Sequence, residues 1–379
     1  MQVMSITNFK SGKLVQRYQY KSFEPNLLNT KWLVDNAELQ FLLSQADIKL
    51  GELNAFSQLI PDVDFFIKMH ILKEGTKSSK IEGTQTNIDD AVQKKEYIEA
   101  EKKDDWLEVH NYVEAMNSSI KALDKLPLSN RLLKQTHKSL MRGVRGNRKT
   151  PGEFRKSQNW IGGASLRDAI FIPPHESGVD DLMADLEKFL HNENLAIPHL
   201  IKIGIAHYQF ETIHPFLDGN GRIGRLLITL YLVSNNLLAK PTLYLSDFFE
   251  KHRSLYYDNL TRVRTNDDLV QWLKFFLEGV RHTSENSIQT FKNIIKLRDD
   301  TEAKIAKLGK KQDTAREFLQ YLYSNPIVDS TDVVKLFNIN LSTALRLIGD
   351  FVKLKILKEF TGKKRNQNFV FEGYLKLFR

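Results

Sequence analysis

Hydrophobic residues recur at helical intervals over most of residues 35–300. Residues 62–83 follow this period, and Gly83 stands where a helix can stop, because glycine readily adopts the left-handed conformation common at helix C-termini. Residues 199–213 repeat the pattern. After them, one apolar face with i, i+3, i+4, i+7 spacing is formed by Ile223, Leu226, Leu227 and Leu230. The spacing predicts a mainly α-helical protein.

One segment breaks this helical period. Residues 154–174 contain short apolar runs on either side of Gly162 and Gly163, and the segment ends in Pro173 and Pro174. Short apolar runs bounded by glycine and proline are typical of strands joined by a turn. The segment is therefore predicted to form a β-hairpin.

The last part of the chain shows a different order of elements. Residues 286–310 are charged and are predicted to form a helical connector. Residues 311–379 contain three short helical patterns and then two short strand patterns, joined by a turn with Lys363, Lys364 and Arg365. This order predicts a small winged-helix-like α+β domain, whose second and third helices form a helix-turn-helix. A small helical interaction or dimerisation module is the alternative.

These patterns divide the rest of the chain into an N-terminal helical region at residues 1–100 and a core at residues 101–285. The net charge is +9, and most of the excess lies after residue 300. Such asymmetry favours an acidic partner, such as DNA, for the C-terminal domain alone. However, the predicted recognition helix carries only Arg346 and Lys353 as strong phosphate-binding groups, fewer than a DNA reader usually has. DNA therefore stays open as a partner.

The composition excludes several kinds of site. The chain has no cysteine, so disulfides, thiolate zinc sites and cysteine nucleophiles are absent. No segment approaches the roughly 20 apolar residues that a membrane helix needs, and the first residues lack the apolar stretch of a signal peptide. We therefore expect a cytoplasmic protein with no membrane partner.

The chemistry is concentrated in residues 214–225, HPFLDGNGRIGR. A glycine-rich turn before a helix exposes backbone N–H groups that bind anions, and arginines add bidentate phosphate contacts. Asp218 suits Mg²⁺, which takes one or two protein carboxylates together with phosphate oxygens. His214 can serve as a general base. Together these residues predict a site that transfers a phosphate-linked group.

This segment resembles the HPFxxGNGRxxR signature of the Fic family, with every signature position present. Upstream, Ser78, Glu82 and Gly83 resemble the inhibitory motif of Fic proteins that carry an N-terminal inhibitory helix. The resemblance spans roughly residues 35–280 and does not cover the C-terminal domain. It implies a Fic-type helical bundle with a β-hairpin flap.

The resemblance also implies a reaction, in which AMP passes from ATP to a Ser, Thr or Tyr hydroxyl of a target protein or of the chain itself. His214 would take the proton from the hydroxyl, and Asp218 would hold Mg²⁺ between the α- and β-phosphates. The motif residues expected to bind the nucleotide are Gly219, Asn220, Gly221, Arg222, Ile223, Gly224 and Arg225. Those expected from the flap and from the adenine border are Ile161, Gly162, Gly163, Ala164, Lys251, Tyr256 and Tyr257.

Regulation is implied by the same resemblance. Glu82 would point into the nucleotide site and pair with Arg225. The pair would deny this arginine to the γ-phosphate, so that ATP binds in an unproductive pose. Ser78 and Gly83 complete this inhibitory motif.

Two other functions fit the same residues. The site could reverse the reaction and remove AMP, or it could use another nucleotide such as UTP. Alternatively, the protein could be a DNA-binding regulator whose core senses a nucleotide without turnover. A homodimer also stays open. His199 and His207 lack the carboxylate or cysteine neighbours of a metal cluster and are predicted to be structural.

Overall fold

The computed structural model describes residues 3–60, 63–143, 149–363 and 367–379. The helices up to residue 213 are α1 Ala37–Leu59, α2 Val63–Ile81, α3 Ile88–Ala91, α4 Lys103–Leu123, α5 Asn130–Leu140, α6 Val179–His191 and α7 His199–Ile213. The later helices are α8 Asn220–Ser234, α9 Ser246–Lys251, α10 Arg253–Asn266, α11 Leu269–Ile305, α12 Gln312–Ser324, α13 Ser330–Phe337, α14 Leu341–Lys353 and α15 Glu372–Leu375. The strands are β1 Val3–Ser5, β2 Gly12–Gln16, β3 Lys21–Pro25, β4 Lys31–Leu33, β5 Ile327–Asp329, β6 Lys358–Glu359 and β7 Asn368–Val370. The predicted mainly α-helical class is confirmed. Among the described residues, we find no helix with the length and apolar character needed to cross a lipid bilayer.

Residues 3–33 form two strand pairs rather than helices. β1 pairs in parallel with β4, and β2 pairs antiparallel with β3. The rings of Phe9 and Trp32 stack with centroids 5.8 Å apart, and Phe9 meets Tyr208 of α7 edge to face at 6.3 Å. The prediction of a helical region from residue 1 is therefore wrong before α1. These scattered aromatic residues are buried by docking on α7 and not along a helical face of their own.

Helices α7 and α8 lie at the centre of the core. Every residue of α7 from Leu200 to Ile213 is buried, so its polar side chains must find partners inside the protein. His207 does so between two neighbouring helices, with Nδ1 2.9 Å from the backbone oxygen of Gly224 and Nε2 2.9 Å from the hydroxyl of Tyr256. His207 is thus a structural histidine, as predicted, and it ties α7 to α8 and α10.

The segment predicted as a hairpin reverses direction but forms no regular strands. One antiparallel bridge joins Ile161 to Phe171. Gly162 and Gly163 both have positive φ angles, +70° and +72°, which glycine alone adopts without strain. Asp168 accepts hydrogen bonds from the next backbone N–H groups and closes the turn. The flap is therefore a tight loop on a single bridge, because consecutive glycines and two prolines leave few residues for a ladder.

Helix α11 is continuous for 37 residues and runs through residue 285, where the sequence predicted the boundary between the core and the connector. The predicted connector therefore begins within α11, whose buried face is continued across that position by apolar residues among the charged ones. These residues are Ile288, Phe291 and Ile294.

Beyond α11, the described residues contain the three helices and two strands that were predicted, together with two elements that were not predicted, strand β5 and the short helix α15. The sheet has the order β5-β7-β6, and both of its pairs are antiparallel. Leu341 and Leu345 of α14 are exposed, so this helix presents an apolar surface as well as Arg346. Lys364 and Arg365, the predicted wing contacts, lie outside the described residues. The winged-helix assignment and its DNA partner stay predictions.

Candidate active site

His214 sits in a left-handed turn at the end of α7. Its φ and ψ are +50° and 60°, and its N–H donates to the backbone oxygen of Phe210 at 2.9 Å. Two side chains stabilise the strained turn by hydrogen bonds to its backbone. Arg155 Nε donates to the backbone oxygen of His214 at 3.0 Å, and Asn159 Nδ2 donates to the same oxygen at 3.2 Å. A non-glycine residue keeps such a conformation only where its surroundings enforce it, and such strain clusters at functional sites.

The side chain of His214 is partly buried, and its Nδ1 is shielded from solvent. Burial is the main cause that lowers the pKa of His214 to about 4, and the nearby Arg264 guanidinium lowers it further. The ring is therefore neutral at pH 7. Within the described structure Nδ1 has no hydrogen-bond partner. A neutral ring beside a phosphate site can accept a proton from an incoming group.

The loop after His214 is fixed by its own asparagine. Asn220 accepts the N–H of Phe216 at Oδ1 and donates from Nδ2 to the backbone oxygen of Phe216, both at 2.8 Å. The expectation that Asn220 binds phosphate is thus limited to its backbone N–H, because its side chain is used inside the loop.

His137 of α5 supports the same loop, and sequence reasoning missed it. Its ring stacks on Phe216 with centroids 3.8 Å apart, and Nε2 lies 3.0 Å from the backbone oxygen of Asp218. Arg155 and Asn159 were missed as well. Neither their spacing nor their neighbours in the sequence mark these three residues, because they meet the loop only in three dimensions.

The predicted anion site lies at the N-terminus of α8. Gly219 caps the helix with φ +74°, and its backbone oxygen accepts the N–H of Ile223 at 3.1 Å. The N–H groups of the three preceding residues have no acceptor within the helix and point out of its first turn. The side chain of Ile223 is fully buried in the core, so this predicted nucleotide contact is restricted to the backbone.

Asp218 is the predicted metal ligand. Its side chain is about half exposed, and Oδ1 accepts the N–H of Gly219 at 2.6 Å. The described residues contain no cluster of three or more histidine and acidic side chains that could hold a metal alone. One carboxylate beside a phosphate-binding helix end fits Mg²⁺, since this ion takes its remaining ligands from phosphates and water.

Arg222 is turned toward α4. Its Nη1 lies 3.0 Å from Oε2 of Glu108, and its Nη2 lies 3.9 Å from Oδ1 of Asp218. The Arg222 side chain is almost fully buried. In this state the guanidinium is paired with a carboxylate and stands one helical turn from Asp218.

Arg225 is held by the end of α2. Its Nη2 donates to Oε1 of Glu82 at 2.7 Å and to the backbone oxygen of Ser78 at 2.9 Å, while Nε donates to Ser78 Oγ at 2.9 Å. Burial alone would raise the pKa of Glu82, but Arg225 holds it below the ordinary value, so Glu82 is ionised. Gly83 follows with φ +106° and ends the helix. The geometry thus joins Ser78, Glu82 and Arg225 as the resemblance implied.

A second carboxyl group, Glu211 of α7, was missed. It is 6% exposed, and its Oε1 has no hydrogen-bond partner in the described structure. A β-carbon on Gly224 would lie 2.2 Å from this oxygen, so Gly224 is required to make room for Glu211. Burial raises the pKa of Glu211 to about 7, although Arg225 acts in the opposite direction. Its position in the last turn of the helix, three residues before His214, is a signal that the sequence did contain.

One of the predicted adenine contacts is corrected by the structure, and a second has an ionic partner within the protein. Tyr256 is fully buried, its hydroxyl meets His207, and its ring stacks on Phe249 at 4.5 Å, so it is a core residue. Lys251 pairs with Asp247 at 2.8 Å. It lines a separate small cavity to which no residue of 214–225 contributes. The prediction for Tyr256 failed because neighbouring positions on a helix face different directions, whereas the contact from Lys251 stays a prediction.

Tyr257 remains available for the base. Its residue is 39% exposed, and the guanidinium of Arg253 lies 6.0 Å from its ring centroid. It is therefore the residue of the predicted pair that can offer a ring to a ligand.

The flap lies beside the N-terminal strands. Gly162, Gly163 and Ala164 are exposed at its tip. On the other side of the bridge, the backbone oxygen of Ile172 accepts the N–H of Phe23 in β3 at 3.0 Å. One edge of the flap is thus already paired with the chain itself.

The fold and the site together define a class of helical proteins in which a histidine-bearing loop leads into an anion-binding helix. The family model described as Fic/DOC family N-terminal matches residues 41–121, and the model described as Fic/DOC family matches residues 127–232. The chain belongs to the Fic family.

Individual relatives agree with this assignment. A protein adenylyltransferase Fic from Aedes aegypti is 33% identical over 133 residues, which are 35% of this chain and 24% of that protein. A protein of the same name from Culex quinquefasciatus is 26% identical over 285 residues, 70% of this chain and 53% of that protein. The chain spans about half or less of these curated relatives. A crystal structure of a Fic family protein from Desulfovibrio desulfuricans has the same fold, with a TM-score of 0.58 and 20% identity over 90% of this chain and 98% of that one.

Proposed function

We propose that this protein transfers AMP from ATP to a Ser, Thr or Tyr hydroxyl of a target protein or of itself. The observation that carries the proposal is the position of His214, a partly buried neutral imidazole in an enforced turn, directly before the free N–H groups of α8. The names of the curated relatives support the same reaction.

In the proposed reaction, His214 takes the proton from the acceptor hydroxyl. The hydroxyl oxygen forms a bond to the α-phosphorus of ATP, the bond from that phosphorus to the bridging oxygen of the β-phosphate breaks, and pyrophosphate leaves with the electron pair. The pKa of His214, about 4 in this state, rises when the negative triphosphate arrives, because a nearby anion favours the imidazolium form. The ring thus becomes a better base when substrate is bound.

The first turn of α8 would bind the triphosphate. Its free N–H groups and positive helix dipole face the phosphates, and Arg222 and Arg225 lie one turn apart on the same helix. Asp218 would hold Mg²⁺, which would neutralise charge on the phosphates when bound. This division of labour suits phosphoryl-type transfer, where most of the catalysis is positioning and charge stabilisation.

The ion pair between Glu82 and Arg225 is proposed to inhibit the reaction. A carboxylate at 2.7 Å occupies the guanidinium face that a γ-phosphate would need. A β-carbon on Gly221 would lie 2.2 Å from Oε1 of Glu82, so the carboxylate also stands against the first turn of the anion site. ATP must therefore displace Glu82 or bind in a different pose.

A target segment is proposed to dock on the flap by adding a strand. The edge at Ile172 is paired with Phe23, so the segment would follow the other side of the bridge, around Trp160 and Ile161. Trp160 is 40% exposed there and offers an apolar contact.

The test uses three proteins: wild type, Glu82→Gly, and Glu82→Gly with His214→Ala. Each is incubated with Mg²⁺ and, in parallel, ATP, UTP or no nucleotide, and intact mass is followed. We expect added AMP on Glu82→Gly, much less on wild type, and none on the double variant. Addition from UTP alone would replace ATP as the substrate. Equal modification of all three proteins would contradict both the proposed base and the proposed inhibition.

A further inference from the structure

The helix that carries Glu82 at its end is packed against the C-terminal domain at its beginning. Phe66 of α2 meets the ring of Tyr323 edge to face, with centroids 4.9 Å apart. One turn later on α2, His70 meets the ring of Phe378 at 5.0 Å, again edge to face. Phe66, His70 and their two partners are buried. The start of α2 is therefore part of a hydrophobic contact with residues 311–379.

The segment just after Glu82 is tied to the same domain by charge. Lys94 Nζ lies 2.7 Å from Asp329 and 2.6 Å from Asp332. Asp89 Oδ1 accepts hydrogen bonds from both Nε and Nη2 of Arg379, at 3.0 and 2.6 Å. We refer to the Lys94 and Arg379 ion pairs together as the clamp.

The clamp is built into the fold of the C-terminal domain. Asp329 and Asp332 form the capping box of α13, so backbone hydrogen bonds fix their carboxylates independently of Lys94. The aspartates are 11% and 15% exposed, whereas most surface ion pairs are far more open. Lys94 is thus held at a defined place on α13.

We infer that residues 311–379 regulate the proposed AMP transfer by holding Glu82 on Arg225; the inference rests on the function proposed above. Glu82 lies between two attachments to one domain, the aromatic contact at the start of α2 and the clamp beyond Gly83. A helix moves nearly as a rigid rod over its roughly 24 Å from Phe66 to Glu82, at about 1.5 Å per residue. A displacement of the C-terminal domain would therefore be passed to the carboxylate.

The clamp also restricts how the backbone around Glu82 can move. Only a short stretch separates Gly83 from Asp89, and its backbone is also fixed where Gln85 N–H donates to Asp105 at 2.8 Å. Unwinding of the last turn of α2 around Glu82 would therefore loosen the segment that the clamp holds. A ligand that pulled the C-terminal domain from α2 would free Arg225.

The test weakens the clamp without touching the capping box of α13. Lys94→Gln and Arg379→Gln are combined in the full chain, with and without Glu82→Gly. The matched control is Lys311→Gln, which removes an ion pair of 2.6 Å to Asp350 within the C-terminal domain itself. Circular dichroism and thermal unfolding are measured for each variant to check that it is folded.

We expect the clamp variant to add AMP about fivefold faster than wild type, the scale set by two partly exposed ion pairs. In the Glu82→Gly background, the clamp substitutions should give no further increase in the rate of AMP addition. The rate of Lys311→Gln should match that of wild type. Amide hydrogen exchange gives a readout independent of activity: the clamp variant should exchange faster at residues 78–83, and the control should not. Unchanged exchange there overturns the inference. Inactive Glu82→Gly would instead contradict the proposed function.

Discussion

The carboxylate of Glu211 stands directly against Gly224, so that a β-carbon on this glycine would lie 2.2 Å from Oε1. One turn earlier on α8, Gly221 has the same relationship with Glu82. Two glycines of the motif therefore make room for two carboxyl groups on either side of Arg225. The glycines were expected to serve the nucleotide, and the structure gives them this second, steric role.

Gly224→Ala is expected to destabilise the protein. The new methyl group would overlap Glu211 in a closely packed core, at a cost of about 1–3 kcal/mol in the free energy of unfolding. Glu211→Ala in the same protein should recover part of the loss by removing the overlapping oxygen. Urea unfolding of the two variants and wild type measures this, and a stable Gly224→Ala protein would show that Glu211 simply moves aside.

Asn159→Ala is expected to slow AMP transfer. The side chain donates to the backbone oxygens of His214 and Phe216, at 3.2 and 2.9 Å, and its loss leaves two acceptors of the strained turn short of a donor. We expect a fall in kcat of about tenfold in the Glu82→Gly background, because a small misplacement of the base is costly. An unchanged kcat would mean that Arg155 alone fixes the turn. Gln158→Ala, at the neighbouring position, is the control.

Tyr257 and Tyr256 should respond differently to truncation. Tyr257→Ala removes the half-exposed ring and should raise the KM for ATP about tenfold, the usual scale for a lost base-stacking contact, with little change in stability. Tyr256→Ala should instead lower the melting temperature, because its ring and hydroxyl are buried against Phe249 and His207. The opposite pattern would place the base on the other tyrosine.

Acid should destabilise the fold through its buried histidines. Burial lowers the pKa of His70 and His207 to about 3 and of His137 and His214 to about 4. The unfolded chain binds protons near pH 6.5 and the folded chain does not, so stability is present above pH 6.5 and is lost as the pH falls toward 4. Each group contributes up to about 1.4 kcal/mol per pH unit.

The raised pKa values of the carboxyl groups of Glu211, Glu74 and Asp47 oppose this trend. The pKa of Glu211 is raised to about 7, so its burial becomes less costly as the pH falls below that value. Together these carboxyl groups offset part of the loss from the four histidines and leave a net loss. Denaturant unfolding at pH 7, 6 and 5 checks the sum, and a free energy of unfolding that is flat over this range would contradict it.

The sequence predicted those parts of the fold in which apolar residues recur at helical intervals. The helices α7 and α8 could be inferred from spacing alone, and α7 has the predicted bounds of residues 199–213. The strands before residue 34 could not, because their aromatic residues are buried by distant helices. Helix α11 was divided at residue 285 because charged residues hide its apolar face.

Among the site residues, those that lie in a sequence motif were predicted and those that reach the site from distant parts of the chain were not. His214, Asp218, Glu82 and Arg225 were found because they lie in contiguous motifs. Arg155, Asn159 and His137 were not, since they reach the loop from other parts of the chain and carry no pattern of their own. Helical phase explains the error at Tyr256, which adjoins Tyr257 in sequence but faces the core.

The position of the label in ATP tests the central claim most directly. Glu82→Gly is incubated with ATP labelled at the α- or the γ-phosphate, and His214→Ala in the same background serves as the control. The account predicts that the protein retains the α-label and releases the γ-label as pyrophosphate, and that His214→Ala retains neither. Retention of the γ-label, or equal retention of the α-label without His214, would contradict it.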